Sequence, residues 1–336
     1  MTQALHGGDV SGFGRRFGAE SVLDFSSSLN WFLPEMEDET WLQLKKSAGT
    51  YGEASGAGVS QRIAEVFGYD ASQVMATAGS IEAIYLAAQL FRGRRVLIGV
   101  PGFADYERAL AGPETRRWDL SMDDALLDWA EVIVFGSPNN PTGTRYQVDA
   151  FRARWPGKTW LVDETFVEFS GEAATAPQED VILFRSLTKS WRIPGLRLGF
   201  LLTSNRKWME QLAGWQPPWS VSAVAQGWAE TFLHRDHKRE VDAAIEAQLE
   251  ERDAMMARLG QVDGLTVHPT DANFFLVELA RGGALDLWEK LGEQGLMVRQ
   301  GEGFEGLSAD RFLRIAVRKR ADNERLEAAI REGLAS

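Results

Sequence analysis

The apolar residues in the middle of the chain fall in short unbroken runs. Val96-Leu97-Ile98-Gly99-Val100, Val132-Ile133-Val134-Phe135, Trp160-Leu161-Val162, Val181-Ile182-Leu183-Phe184 and Leu198-Gly199-Phe200-Leu201-Leu202 show almost no alternation with polar positions. A strand with one wet face alternates, whereas an unbroken run needs cover on both faces. These runs therefore predict strands inside a covered sheet. Stretches with helical spacing at 81–91 and 147–155 supply the cover. Strand and helix in turn predict an α/β domain on a mostly parallel sheet sandwiched by helices.

The last third reads differently. Residues 222–259 are rich in charge and have helical spacing, which predicts a long connection between two domains. Phe274-Phe275-Leu276-Val277 and Phe312-Leu313-Arg314-Ile315-Ala316-Val317 read as strands, and 285–294 and 322–334 as helices. This mixture predicts a smaller α+β domain. The first 45 residues carry weak periodicity and are expected to dock on it. The division expected is a large domain over 46–225 and a small one from 1–45 with 226–336.

Composition narrows the chemistry. With 336 residues the chain is long enough for two cores. A net charge of -12 opposes nucleic acid and anionic membrane as partners. The absence of cysteine excludes disulfides, thiol catalysis and thiolate metal sites. Of the four histidines, His234 and His237 could share a helix face, but no carboxylate cluster accompanies them, so a solvated face is expected and no metal site. No apolar run reaches the length of a membrane span, and the polar, glycine-rich start lacks a secretory core. A cytoplasmic enzyme is the expectation.

The candidate chemistry centres on Lys189, in Ser186-Leu187-Thr188-Lys189-Ser190, with Arg197 eight residues on beyond Pro194-Gly195. A desolvated lysine near other cations loses its proton readily and becomes a nucleophile able to form a Schiff base. Four further motifs precede it. Gly79-Ser80 opens a helical stretch, where backbone N–H groups and a hydroxyl suit a phosphate, although a plain N-cap would also account for them. Phe103 follows a strand, where a flat ring could stack on a planar ligand. Asn139-Asn140 is framed by Pro138, Pro141 and Gly143, a rigid loop holding two carboxamides. Asp163 ends a strand, where a carboxylate can pair with a protonated pyridine nitrogen and keep that ring electron-accepting. Each signal is weak alone, and their joint order is what a single site at one sheet edge requires.

With these motifs in place the chain resembles the fold-type-I pyridoxal phosphate (PLP) enzymes of the class I/II aminotransferase branch, from about Asp24 to Val317. The resemblance rests on Asn140-Pro141-Thr142-Gly143, Asp163-Glu164, and Ser186-Leu187-Thr188-Lys189 with Arg197. It implies that Lys189 forms the Schiff base, Asp163 pairs with the pyridine nitrogen, Asn140 bonds the ring's 3-oxygen and Phe103 stacks. It implies that Gly79, Ser80, Ser186 and Arg197 hold the phosphate. It further implies that Tyr51 reaches a neighbouring subunit's phosphate in a homodimer with sites at the interface, and that Arg314 clamps a substrate carboxylate. Two departures stand out. Phe166 replaces the tyrosine usual three residues after the aspartate, removing a donor to the 3-oxygen. The other concerns the threonine-phosphate decarboxylase subgroup, in which Asn-Pro is usual near the N-terminus where this chain has Asn30-Trp31.

Leu5-His6-Gly7-Gly8-Asp9, Asp24-Phe25-Ser26, Pro101–Leu110, 163–166 and Pro218-Trp219-Ser220-Val221 look most like the L-threonine-O-3-phosphate decarboxylases of cobalamin synthesis. Histidinol-phosphate or another amino-acid aminotransferase is the alternative. The implied substrate is a small amino acid bearing a distal phosphate, with His6, Asn30 and Arg15 as expected contacts. Breaking the Cα–carboxylate bond makes a decarboxylase and breaking C–H a transaminase; the same residues serve both. A PLP-binding regulator would need a basic helix-turn-helix ahead of Tyr51, which the sequence there lacks.

Overall fold

The computed structural model describes residues 7–121 and 124–335. A seven-stranded sheet is formed by β1 (Val74–Thr77), β2 (Val96–Gly99), β3 (Thr115–Trp118), β4 (Val132–Gly136), β5 (Thr159–Asp163), β6 (Val181–Ser186) and β7 (Gly199–Leu202), in the order β1-β7-β6-β5-β4-β2-β3. β7 runs antiparallel to both neighbours and every other pair is parallel. Alternate residues of the covered strands divide between two cores. Ile133, Trp160, Val162, Leu183 and Phe200 pack beneath the helices Ala57–Phe67 and Ala223–Phe232. Val134, Leu161, Ile182, Phe184 and Leu201 pack against Ile84 and Ala87 of the helix Gly79–Leu90. Two buried faces are why the runs read as unbroken.

The smaller unit carries an antiparallel sheet of β8 (Leu265–Val267), β9 (Phe274–Leu279), β10 (Arg299–Gln300) and β11 (Phe312–Ala316), in the order β10-β11-β9-β8. Its core joins Phe275, Val277, Leu313 and Ile315 to Trp288, Leu291 and Leu326 from the helices Ala284–Glu293 and Arg320–Ala335. Phe13 and Phe25 complete that core. The core of the large sheet extends beyond residues 46–225: Leu33, Leu44, Val241 and Ile245 belong to it.

The stretch 222–259 is two helices, Ala223–Phe232 and Arg235–Leu259, not one. His234 is extended and caps the second, its Nδ1 accepting from the N–H of His237 at 3.2 Å. The 25-residue helix places Val241 and Ile245 in the large core and Met255 and Leu259 in the small one, so it ties the two units together. A second tie is the segment 23–33. Leu23 and Asp24 pair with Leu296 and Met297, and the Asn30 N–H donates to the Lys189 carbonyl at 2.9 Å. Among the described residues no helix is long and apolar enough to cross a membrane.

Candidate active site

Strand register assembles the site. Thr77, Gly199 and Ser186 are partners across β1, β7 and β6, and Gly136 is the partner of Asp163 across β4 and β5. The loops carrying Gly79, Asn140, Lys189 and Arg197 therefore meet at one sheet edge, with Asp163 among them, where ligands of open α/β sheets collect. A cavity of about 260 Å³ lies there. Ser80, Phe103, Asn140, Asp163, Ser186, Lys189, Arg197 and Arg314 all line it.

Close backbone approach shapes one end. Gly79 has φ +77°, and a Cβ on it would stand 2.9 Å from Arg197 Nη2. A Cβ on Gly199 would stand 2.6 Å from the Ser80 nitrogen. Only glycine at both positions lets the turn before the helix Gly79–Leu90 sit against the Arg197 guanidinium. Arg197 is itself left-handed (φ 54°), and its Nη1 donates to the Pro194 carbonyl at 3.0 Å. Ser186 caps the short helix Leu187–Ser190, its Oγ accepting from the Thr188 N–H at 3.2 Å.

Asp163 is buried at the floor. Its Oδ1 accepts from the Thr165 N–H at 2.9 Å and its Oδ2 from the Tyr106 hydroxyl at 2.8 Å. Burial raises the carboxyl pKa, and the bonds from Thr165 and Tyr106 oppose that rise. Lys189 is pushed down to about 8, chiefly by burial and then by the Arg314 cation, with Asp24 pulling the other way. Arg314 donates from Nη1 to Asn140 Oδ1 at 2.5 Å and from Nη2 to the Ser26 carbonyl, and lies 4.9 Å over the Phe274 ring. Burial and the neighbouring Arg299 both disfavour its charged form.

The sequence profile of the family described as aminotransferase class I and II matches residues 25–331. The chain belongs to this family. A threonine-phosphate decarboxylase of Salmonella typhimurium is 32% identical to it, over 99% of this chain and 98% of the relative. A histidinol-phosphate aminotransferase of Archaeoglobus fulgidus is 28% identical, over 95% of both chains. The solved L-threonine-O-3-phosphate decarboxylase of Porphyromonas gingivalis superposes with a TM-score of 0.83 at 26% identity, covering 93% of this chain and 99% of that one.

Aminotransferases of this family are PLP-dependent enzymes acting at Cα of an amino acid. The residues present fit the coenzyme. The glycine turn against Arg197 leaves room for an anion where any side chain would intrude, and a lysine of lowered basicity faces the same cavity as a buried aspartate.

Three of the residues expected to contribute to a site do not line this chain's cavity, and a fourth lies outside the described residues. Asn30 is fully buried, its Nδ2 donating to the Ser190 carbonyl at 3.0 Å and its Oδ1 accepting from the Leu33 N–H at 3.2 Å. It braces the backbone beneath Lys189, so the expected substrate contact is corrected to a structural one. Arg15 is exposed in the helix Val10–Phe17. Tyr51 is 85% exposed, with its ring 5.0 Å from Trp219, and does not line this chain's cavity. His6 lies outside the described residues.

Sequence reasoning overlooked Tyr106, Ser26, Ser27, Ser28, Arg299 and Phe304, all of which line the cavity. Tyr106 had a legible signal: it is one helical turn beyond Phe103, whose ring it meets edge-on at 5.7 Å. Arg299 had none, because its place comes from pairing with Arg314 across β10 and β11.

Proposed function

We propose that this enzyme binds pyridoxal phosphate through Lys189 and decarboxylates a phosphorylated amino acid, with O-phospho-L-threonine as the leading substrate. The observation that carries the substrate class is the pairing of Arg299 with Arg314. They are cross-strand partners on one face of the small sheet, and both line the cavity. Arg314 is buried and Arg299 half-buried, so the two guanidinium groups repel one another and are incompletely solvated. A substrate with two anionic groups, a carboxylate and a phosphate, relieves both penalties. Histidinol phosphate carries a phosphate but no carboxylate and would meet only one of them. The relationship to the Salmonella typhimurium decarboxylase supports the same choice.

The bound coenzyme would supply an electron sink for the pair left at Cα when a bond there breaks. The chain's own residues do the rest. Gly79, Ser80, Ser186 and Arg197 would hold its phosphate, Asp163 its pyridine nitrogen, and Phe103 one face of its ring. Arg314 fixes the Asn140 carboxamide with Oδ1 toward the guanidinium, which leaves the Nδ2 donor for the ring's 3-oxygen. Phe166 meets Phe274 edge-on at 4.8 Å and offers no hydroxyl there. The Lys189 amine, with a pKa of about 8, can give up or hold a proton at Nζ near neutral pH. Phe166 and Phe304, both nearly inaccessible, keep water from the cavity wall.

The same reading includes a homodimer. Tyr51 and Trp219 form an exposed aromatic pair beside the turn at Gly52, whose carbonyl accepts from Trp219 Nε1 at 3.1 Å. A second subunit would cover it, and sedimentation velocity tests that.

The deciding experiment offers O-phospho-L-threonine to the PLP-loaded protein and measures carbon dioxide. Release with the coenzyme kept as aldehyde supports the decarboxylase. Conversion of the coenzyme to its amine form without carbon dioxide supports the aminotransferase and removes this proposal. Arg299→Gln should raise KM for phosphothreonine far more than for threonine.

A further inference from the structure

The segment entering the cavity from the small domain commits nearly all its polar groups. Ser26 Oγ donates to Asp24 Oδ1 at 2.6 Å, and Ser27 Oγ donates to Asp24 Oδ2. Asn30 is used beneath Lys189. Ser28 is the exception. It lines the cavity and is 1% exposed, yet its hydroxyl has no hydrogen-bond partner among the described residues. Its backbone is held in place, the carbonyl accepting from Asn273 Nδ2 at 3.2 Å.

A second orphan belongs to the same place. Arg314 Nε is buried without a partner, while Nη2 of that guanidinium reaches the Ser26 carbonyl, two residues from Ser28. A buried donor without an acceptor bears its desolvation cost uncompensated, and it recovers that cost when a ligand brings the acceptor. Two such donors, one cationic and one neutral, on neighbouring elements of one cavity suit the two oxygens of a carboxylate.

We infer that the Ser28 hydroxyl is a substrate-binding group that donates to the same α-carboxylate that Arg314 takes on its Nε edge. This rests on the cavity being an amino-acid site and does not depend on which side chain the amino acid carries. Ser28 is held for that role by its carbonyl, which accepts from Asn273 Nδ2 just ahead of β9.

The test uses the coenzyme-loaded full chain and the variants Ser28→Ala and Ser28→Thr. Ligands are titrated by the change in coenzyme absorbance, in two pairs: O-phospho-L-threonine against 1-aminopropan-2-yl phosphate, and L-alanine against ethylamine. Each pair differs by the carboxylate alone. Ser28→Ala should weaken the acid of a pair about ten- to a hundredfold and leave the amine unchanged, with Ser28→Thr restoring most of the loss. The ligand-free Ser28→Ala protein should melt no lower than the parent, because the hydroxyl it lacks was unpaired. Equal loss for acid and amine, no loss for the acid, or a lowered melting temperature overturns the inference. If L-alanine shows the difference and phosphothreonine does not bind, Ser28 keeps its role and the phosphorylated-substrate reading falls. Binding of none of the four ligands overturns both.

Discussion

Arg314 of the small sheet and Asn140 of the large-domain loop are joined by a 2.5 Å hydrogen bond from Nη1 to Oδ1. The bond crosses between the two units at the cavity and orients two groups at once. It aims the carboxamide's donor inward and fixes the plane of the guanidinium. Arg314→Lys keeps a positive charge but loses the planar fork and the bond to Asn140. It should lower kcat/KM about a hundredfold or more, and much of the loss should appear in KM if the arginine acts by holding the carboxylate. Steady-state kinetics checks this, and an unchanged KM would detach Arg314 from the substrate.

Tyr106 sets the condition of Asp163. Its hydroxyl is fully buried, and its own pKa is raised by burial and by the adjacent carboxylate, so it stays a donor. Tyr106→Phe removes one of the hydrogen bonds that favour ionised Asp163, and the carboxyl pKa, already raised by burial, should rise further. The ionised form is then lost at a higher pH as acidity increases. Coenzyme affinity should fall about tenfold, and the acid limb of its pH profile should move upward. Spectrophotometric titration of the ligand-free protein with pyridoxal phosphate across pH reads both effects. An unmoved acid limb would leave Tyr106 as core packing only.

What was legible follows from these geometries. Five strands showed themselves because both faces are buried and the runs are unbroken. β1 did not, because Val74-Met75-Ala76-Thr77 is short and weakly patterned, and neither did β3, an edge strand whose Arg116 and Arg117 are exposed. The residues beside Asp163 and Lys189 were legible because each motif follows its own strand to the same edge. Arg299 and Ser28 were not, since cross-strand register and a turn place them, and neither leaves a local pattern. Asn30 misled because a buried carboxamide bracing a backbone looks, in sequence, the same as one awaiting a ligand.

Lys189 gives a pH signature in the coenzyme-free protein. Its pKa falls from 10.5 to about 8 on folding, so between those values the unfolded chain binds more protons than the native one. Stability from this group therefore rises with pH across that window, and below it the buried ammonium is a standing cost. Lys189→Met removes the cost. The variant should be more stable than the parent below pH 8, and the gap should narrow steadily toward pH 10.5. Urea denaturation at several pH values checks this, with the difference between the two proteins isolating Lys189 from other titrating groups. A constant gap would mean that the amine is solvated. Borohydride reduction after coenzyme loading should label the parent at this residue and leave the variant unmarked.

Gly199 tests whether the anion-binding turn depends on backbone contact. A methyl group there would lie 2.6 Å from the Ser80 nitrogen, 2.7 Å from the Arg185 carbonyl oxygen and 2.7 Å from the Gly79 carbonyl carbon. All three are backbone atoms, so no side chain can swing aside. Gly199→Ala must push β1 and the start of the helix Gly79–Leu90 away from β7, and should cost about 1–3 kcal/mol of stability by overpacking. The displaced turn carries Gly79 and Ser80, so coenzyme affinity should fall together with stability. Gly195→Ala, where nothing lies within 4 Å of the added methyl, is the control and should change neither. Denaturant midpoints and coenzyme titrations of the two variants decide the matter: if Gly199→Ala binds the coenzyme as the parent does, the close approach is incidental to the site.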